Sequence, residues 1–242
     1  MARIIDKEKT VITGGAAGIC REAAVRFYEE NAEVFVIDTD GRGLRELETS
    51  FPGMRCFEAS VTDEEKINSI FDEIGDINIL INGAGIQAES SYESTDTELS
   101  RKIWDVIYTG TLICTKAALR HMAEGTILDV LTHSGIRTNQ YPYAAAKAGL
   151  RADIRNLAYY LSGKSDSPVS VNGISFAAVS GTLRNMHWAD DEKAIADIKA
   201  RTPLHRIITA EEAGGLIFLY IKYFSQYSTG SVFDADCGRS LC

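Results

Sequence analysis

The sequence predicts a doubly wound α/β fold, with a parallel sheet covered by helices on both faces. Seven short β-branched runs recur from end to end: "TVIT", "EVFVID", "RCFEAS", "INILIN", "GTILDVLT", "VSVNGIS" and "GSVFDAD". Amphipathic stretches separate them, so successive strands are joined by crossovers, and right-handed crossovers build a parallel sheet. With 45% hydrophobic residues and no linker-like, repetitive or low-complexity tract, the 242 residues can bury a full core. Residues 1–242 are therefore expected to form a single domain.

Composition narrows the partners. A net charge of -9 argues against nucleic acid, whose phosphates are bound by Lys and Arg. The opening "MARIIDKEK" holds no apolar core of a secretory signal, and no later run approaches the roughly 20 apolar residues of a membrane span. A cytoplasmic protein with a small-molecule partner, and neither nucleic acid nor membrane, is the expectation. Cys20, Cys56, Cys114, Cys237 and Cys242 are scattered without CxxC spacing, which suits reduced thiols, and four dispersed histidines form no metal-ligand pattern.

The first strand, "TVIT", runs into Gly14, Gly15 and Gly18 and then into a helix expected over Ile19–Glu30. Backbone N–H groups at such a helix start point at phosphate oxygens. The second strand ends at Asp38, where a carboxylate can accept hydrogen bonds from both ribose hydroxyls of an adenosine and repel a 2′-phosphate. No Arg or Lys lies within the turn, so NAD is favoured over NADP; Arg42, four residues past Asp38, is the nearby cation that speaks for NADP. Cys20 stands where a third glycine would pack helix on strand. It reads as a packed thiol that pushes the helix slightly outward, or, more sharply, as a thiolate favoured by the helix N-terminus.

Two long apolar-periodic helices are predicted at about Glu98–Ala123 and Tyr143–Leu161. The second carries "YAAAK", which sets the Tyr143 phenol and the Lys147 ammonium four residues apart on one face. A phenol with a pKa of about 10 is a poor base at neutral pH, but a neighbouring cation favours the phenolate. Such a pair can take a proton from an alcohol as a hydride leaves its carbon. The span Thr182–Arg201 mixes Met186, His187 and Trp188 with charged residues, and reads either as a cover over a substrate pocket (about 181–201) or as an ordinary surface helix.

Taken in order, "TGGAAGIC", "INGAG", "TILDVLTHSG", "YPYAAAK" and "TGSVFDADCG" resemble the classical short-chain dehydrogenase/reductase family over essentially the whole chain. The resemblance implies a Rossmann-type sheet of strand order 3-2-1-4-5-6-7, a nicotinamide cofactor, and a homotetramer or homodimer built on the two long helices. It assigns Tyr143 as catalytic acid or base, Lys147 as ribose ligand, and Thr132 as the hydroxyl that orients substrate. Ser134 is the fallback for Thr132, because the stretch to Tyr143 is about two residues shorter than usual. Cofactor contacts carry over to Gly14, Gly18, Ile19, Asp38, Ser60, Val61, Asn82, Ala84, Gly85, Tyr143 and Lys147.

The departures cluster at functional positions. Ile107 stands where an asparagine normally bends the helix and holds a relay water, none of which an apolar side chain does. Gly83 replaces the second asparagine of NNAG, Ser60 an aspartate that reads adenine, and Phe176-Ala177 a Pro-Gly pair, so that Phe176 is expected to narrow or reshape the nicotinamide pocket. The substrate is expected to meet Gln87, His133, Ser134, Tyr141, Met186, His187 and Trp188, a set suited to a cyclic or otherwise apolar molecule. These features imply an NAD-dependent oxidoreductase acting on a secondary alcohol or carbonyl. The alternatives are a relative that keeps the cofactor pocket but catalyses a non-redox step, and a protein that only binds dinucleotide.

Overall fold

A computed structural model describes residues 3–88, 92–133, 140–164, 168–182 and 191–241. The elements run β1 (Lys9–Thr13), α1 (Gly18–Glu29), β2 (Glu33–Asp38), α2 (Gly41–Ser50), β3 (Arg55–Glu58), α3 (Glu64–Ile74), β4 (Ile79–Asn82), α4 (Thr97–Trp104) and α5 (Gly110–Arg120). There follow β5 (Gly125–Thr132), α6 (Tyr141–Ser162), β6 (Val169–Phe176), β7 (Val179–Ser180), α7 (Glu192–Ala200), β8 (Ile208–Thr209), α8 (Ala210–Tyr223) and β9 (Val232–Ala235). Seven strands form one parallel sheet in the order β3-β2-β1-β4-β5-β6-β9, the order that the resemblance implies. The short parallel pair β7 and β8, which the sequence did not signal, lies outside it.

The central strands are apolar on both sides, as helices on both faces require. Alternate side chains sort into two core layers. Ile12, Val36, Leu128, Val130 and Ile174 pack with Ala23, Ala24 and Phe27 of α1 and Ile217, Phe218 and Ile221 of α8. On the other face Val11, Ile37, Leu80, Ile127 and Leu131 meet α3, α5 and α6 through residues such as Phe71, Cys114 and Leu150. The chain passes outward from β1 through β2 to β3, then returns to the other side of β1 with β4. The carboxyl ends of β1 and β4 therefore diverge at a switch point, where such sheets open a crevice. Thr13 Oγ1 ties the two exits together by accepting hydrogen bonds from Gly83 N (3.1 Å) and Ala84 N (3.3 Å).

The long helix expected over Glu98–Ala123 differs in detail. Asp96 caps its start by accepting from Glu98 N (2.8 Å) and Leu99 N (3.0 Å). Between α4 and α5, residues Asp105–Thr109 widen into one π-helical turn, with Gly110 N–H donating to the Asp105 carbonyl. Ile107 sits in that turn, fully buried. The distortion expected to be lost with an asparagine is thus present around an isoleucine, because the backbone itself supplies the wider hydrogen bond. α6 begins two residues earlier than predicted. Pro142 lies in its first turn, where a missing N–H costs nothing.

Phe27 and Phe218 meet edge to face, with centroids 5.1 Å apart, at the contact between α1 and α8. Both rings are fully buried. Phe27→Ala is expected to lower unfolding free energy by about 3–5 kcal/mol in urea denaturation followed by circular dichroism.

Candidate active site

A cleft of about 1150 Å³ opens at the carboxyl edge of the sheet, at the switch point. Its first wall is the glycine turn: Gly14, Gly18, Ile19 and Cys20 line it, with Asp38 at the end of β2. Gly14 has a φ of +69°, and a Cβ there would come within 2.7 Å of the Ala84 backbone. Only glycine satisfies both constraints. Ala17, the residue before α1, offers no side-chain cap, so the first amides of α1 are left unclaimed by side chains where the helix faces the cleft. The Asp38 carboxylate accepts from Ala16 N and Asp40 N, each at 3.0 Å. Arg42 turns away, its guanidinium paired with Glu46 at 3.0 Å on an exposed surface.

Ser60, Val61, Ala84, Gly85 and Gln87 continue the lining, and Thr132, Tyr143 and Lys147 close it. The residues expected to hold cofactor and those expected to do proton chemistry thus share one cleft, with the exception of Asn82. Asn82 is buried beneath the floor, where its Nδ2 donates to Asp129 Oδ1 (2.9 Å) and Thr115 Oγ1 (3.2 Å). The strand period explains this: Asn82 pairs in register with Asp129, and its side chain faces the α5 side of the sheet. His133 is not among the lining residues described; its ring Nδ1 stands 3.3 Å from the Phe176 carbonyl, and its N–H donates to the same oxygen at 3.2 Å. Tyr141 is exposed and stacks edge to face on Tyr92. Ser134, Met186, His187 and Trp188 lie outside the described residues.

Phe176 lines the cleft, as expected of a residue that reshapes it, and its ring is also buried in the core layer shared with Ile12 and Val130. Cys20 corrects an expectation. A Cβ on Gly83 would collide with Cys20 Sγ, so the thiol occupies the space that a side chain at position 83 would need. Two departures from the family pattern are therefore one packing exchange, and no outward push on α1 is required. Burial pushes the Cys20 thiol up to about 12, against the reactive-thiolate reading.

Lys147 is buried, and its Nζ donates to the Val130 carbonyl at 2.6 Å. Burial draws its pKa down to about 8, opposed first by the charge of Asp129. Asp129 is buried on β5, and burial pushes it up to about 6, opposed by the Asn82 hydrogen bond and then by Lys147. Sequence reasoning passed over Asp129, Gln140 and Thr182, of which the last two line the cleft. The signal for Asp129 was present as a carboxylate inside the apolar run "TILDVL" of a strand covered on both faces. Thr182 was marked only as the first residue of the possible cover at 182–201; it approaches the glycine turn, where a Cβ on Gly18 would lie 3.5 Å from its methyl.

A family model described as enoyl-(acyl carrier protein) reductase matches residues 14–240. The (2S)-[(R)-hydroxy(phenyl)methyl]succinyl-CoA dehydrogenase subunit BbsD of Thauera aromatica is 28% identical, over 98% of each chain. The cis-4-hydroxycyclohexanecarboxylate dehydrogenase of Sinomonas cyclohexanicum is 27% identical, again over 98% of each. Among solved structures, a gluconate 5-dehydrogenase from Burkholderia cenocepacia in complex with NADP and tartrate superposes with a TM-score of 0.88. At 22% identity, covering 98% of this chain and 96% of that one, it shows the shared fold.

Gly83→Ala is expected to destabilise the chain by about 1–3 kcal/mol through overpacking, and Cys20→Ala in the same chain to restore most of the loss. A double-mutant cycle by thermal or urea unfolding measures the coupling. Additive effects would contradict the exchange.

Proposed function

The chain belongs to the classical short-chain dehydrogenase/reductase family and is an oxidoreductase; on that premise we propose that it is an NAD-dependent enzyme interconverting a secondary alcohol and a carbonyl on a small cyclic or apolar substrate. The observation that carries this reading is the meeting of the glycine turn, Asp38, Thr132, Tyr143 and Lys147 in one cleft. The residues fit a dinucleotide: Gly14 and the uncapped start of α1 leave room and amides for a diphosphate, and Gly18, at φ +60°, faces Thr182 across a gap that a Cβ would narrow to 3.5 Å. Asp38 suits free ribose hydroxyls, and Arg42, four residues beyond it, is paired to Glu46.

When bound, the nicotinamide supplies hydride acceptance and donation. The protein supplies the proton chemistry. Tyr143 takes the hydroxyl proton in oxidation and returns it in reduction. Lys147, one helical turn along α6, stabilises negative charge on the phenol oxygen. Thr132, at the end of β5, orients the substrate oxygen through its hydroxyl. The named activities of two relatives favour a ring-bearing substrate, since one acts on a hydroxy(phenyl)methyl group and the other on a hydroxycyclohexane. The faces of α4 to α6 are proposed to build a homodimer or homotetramer.

The alternative is a non-redox step, favoured by Ile107, whose buried side chain near Gly85 offers no polar group for a proton relay. Fluorescence titration separates NADH from NADPH, with tighter NADH binding expected. A screen of cyclic secondary alcohols with NAD then follows absorbance of the reduced nicotinamide. Tyr143→Phe is expected to cut turnover by about 10²–10⁴-fold while NADH binding is retained. Turnover unaffected by that change would remove Tyr143 from the mechanism.

A further inference from the structure

Asp129 lies at the middle of β5, in register with Asn82 on β4 and Gly173 on β6, and the mechanism above does not use it. Its side chain is buried on the sheet face that carries α5 and α6, and the Asn82 amide bridges it to Thr115 of α5. One peptide further along β5, the Val130 carbonyl receives the Lys147 ammonium. The sheet thus brings a buried carboxylate and a buried ammonium to neighbouring positions without joining them in an ion pair.

The groups facing Lys147 come from three elements: Asp129 from β5, Cys20 from α1 and Tyr143 from α6 itself. Asp129 in turn faces Lys147 and Asp153 of α6 and the amide of Asn82. The Cys20 thiol is kept neutral by burial, so it offers the ammonium no counter-charge. Ile107, packed toward Gly85, offers no polar group. That leaves Asp129. An ammonium taken out of water reverts to the amine unless an anion opposes desolvation.

We propose that Asp129 is a positioning residue for the reaction: its carboxylate, held by Asn82, keeps Lys147 charged and seated on the Val130 carbonyl beside Tyr143, without touching substrate or cofactor. This inference rests on the oxidoreductase reading of the same cleft. Burial raises the Asp129 carboxyl and lowers the Lys147 ammonium toward each other, and the attraction between them opposes both shifts, so the pair is charged in the interval between the two titrations. Neutralising Asp129 removes the largest charge that opposes burial at Lys147, so the ammonium deprotonates at lower pH and the phenol loses its cation.

The test is the Lys147 side-chain titration in the full-length chain, followed by NMR with isotope-labelled lysine and assigned through Lys147→Met. Asp129→Asn keeps an oxygen to accept the Asn82 amide but removes the charge. It is expected to lower the Lys147 midpoint by about one pH unit or more, a tenfold change in the ammonium-to-amine ratio. Asp153→Asn, the control, is expected to leave the midpoint in place. With no substitution at all, the Lys147 resonance is expected to show a second inflection as Asp129 titrates near about 6. With NAD and cyclohexanol as the probe pair, the alkaline fall of kcat/KM should move with the midpoint in Asp129→Asn.

An unshifted midpoint in folded Asp129→Asn, an equal shift in Asp153→Asn, or a missing second inflection in the unsubstituted chain would each overturn the proposal. So would turnover whose pH profile ignores Asp129→Asn. If no secondary alcohol is turned over by the unsubstituted chain while the Lys147 midpoint still shifts, the redox reading falls and the charge coupling stands.

Discussion

The site depends on an ammonium held inside the protein. Lys147 has left water, and an unpartnered N–H donor there would cost more than its packing returns, so its Nζ must find an acceptor in the core. It finds the Val130 carbonyl at the carboxyl end of β5. That hydrogen bond, together with the packing of Ala146, Leu150, Ile154 and Ala158, seats α6 on the sheet, with Tyr143 one turn earlier at the cleft. The rest of the active-site wall follows: Thr132 is two residues beyond Val130 on the same strand, and Phe176 pairs with Thr132 on β6.

The opposite wall obeys a steric constraint rather than an electrostatic one. β1 must turn sharply into α1 while β4 leaves the sheet beside it, and the two backbones approach so closely that Gly14 has no room for a side chain against Ala84. The same crowding explains Cys20 and Gly83. One position in this contact carries a side chain and its neighbour gives up its own, so a residue exchange that looks like decay of the glycine pattern keeps the turn intact. The residues that depart most visibly from the family contribute to the core beside the cleft, and Phe176 also to its lining. Ile107 and Phe176 are both absorbed into core layers.

The strands were legible because a parallel sheet buried on both faces demands continuous β-branched runs, and "TVIT", "EVFVID" and "GTILDVLT" have no other stable use. The glycine turn and the Tyr143–Lys147 spacing were legible because each is a local pattern with its partners within a few residues, and Asp38 because it ends the strand that follows the turn. What escaped was non-local. The π turn at Asp105–Thr109 leaves no mark in hydrophobic periodicity, since Ile107 remains apolar and buried in either geometry. Asn82 was read as a cleft residue because it heads a motif. The register that turns it toward Asp129 involves β5, more than forty residues away. Phe176 was judged by its size, but its direction is set by strand alternation on β6.

The most direct measurement is a crystal structure of the chain with NAD. The account expects the adenosine ribose on Asp38, the diphosphate over the turn at Gly14–Ile19, and the nicotinamide ribose within hydrogen-bonding reach of Lys147 Nζ. A cofactor bound outside this cleft, or bound within it while Lys147 makes no approach to the ribose, would contradict the claim that the buried ammonium organises the site.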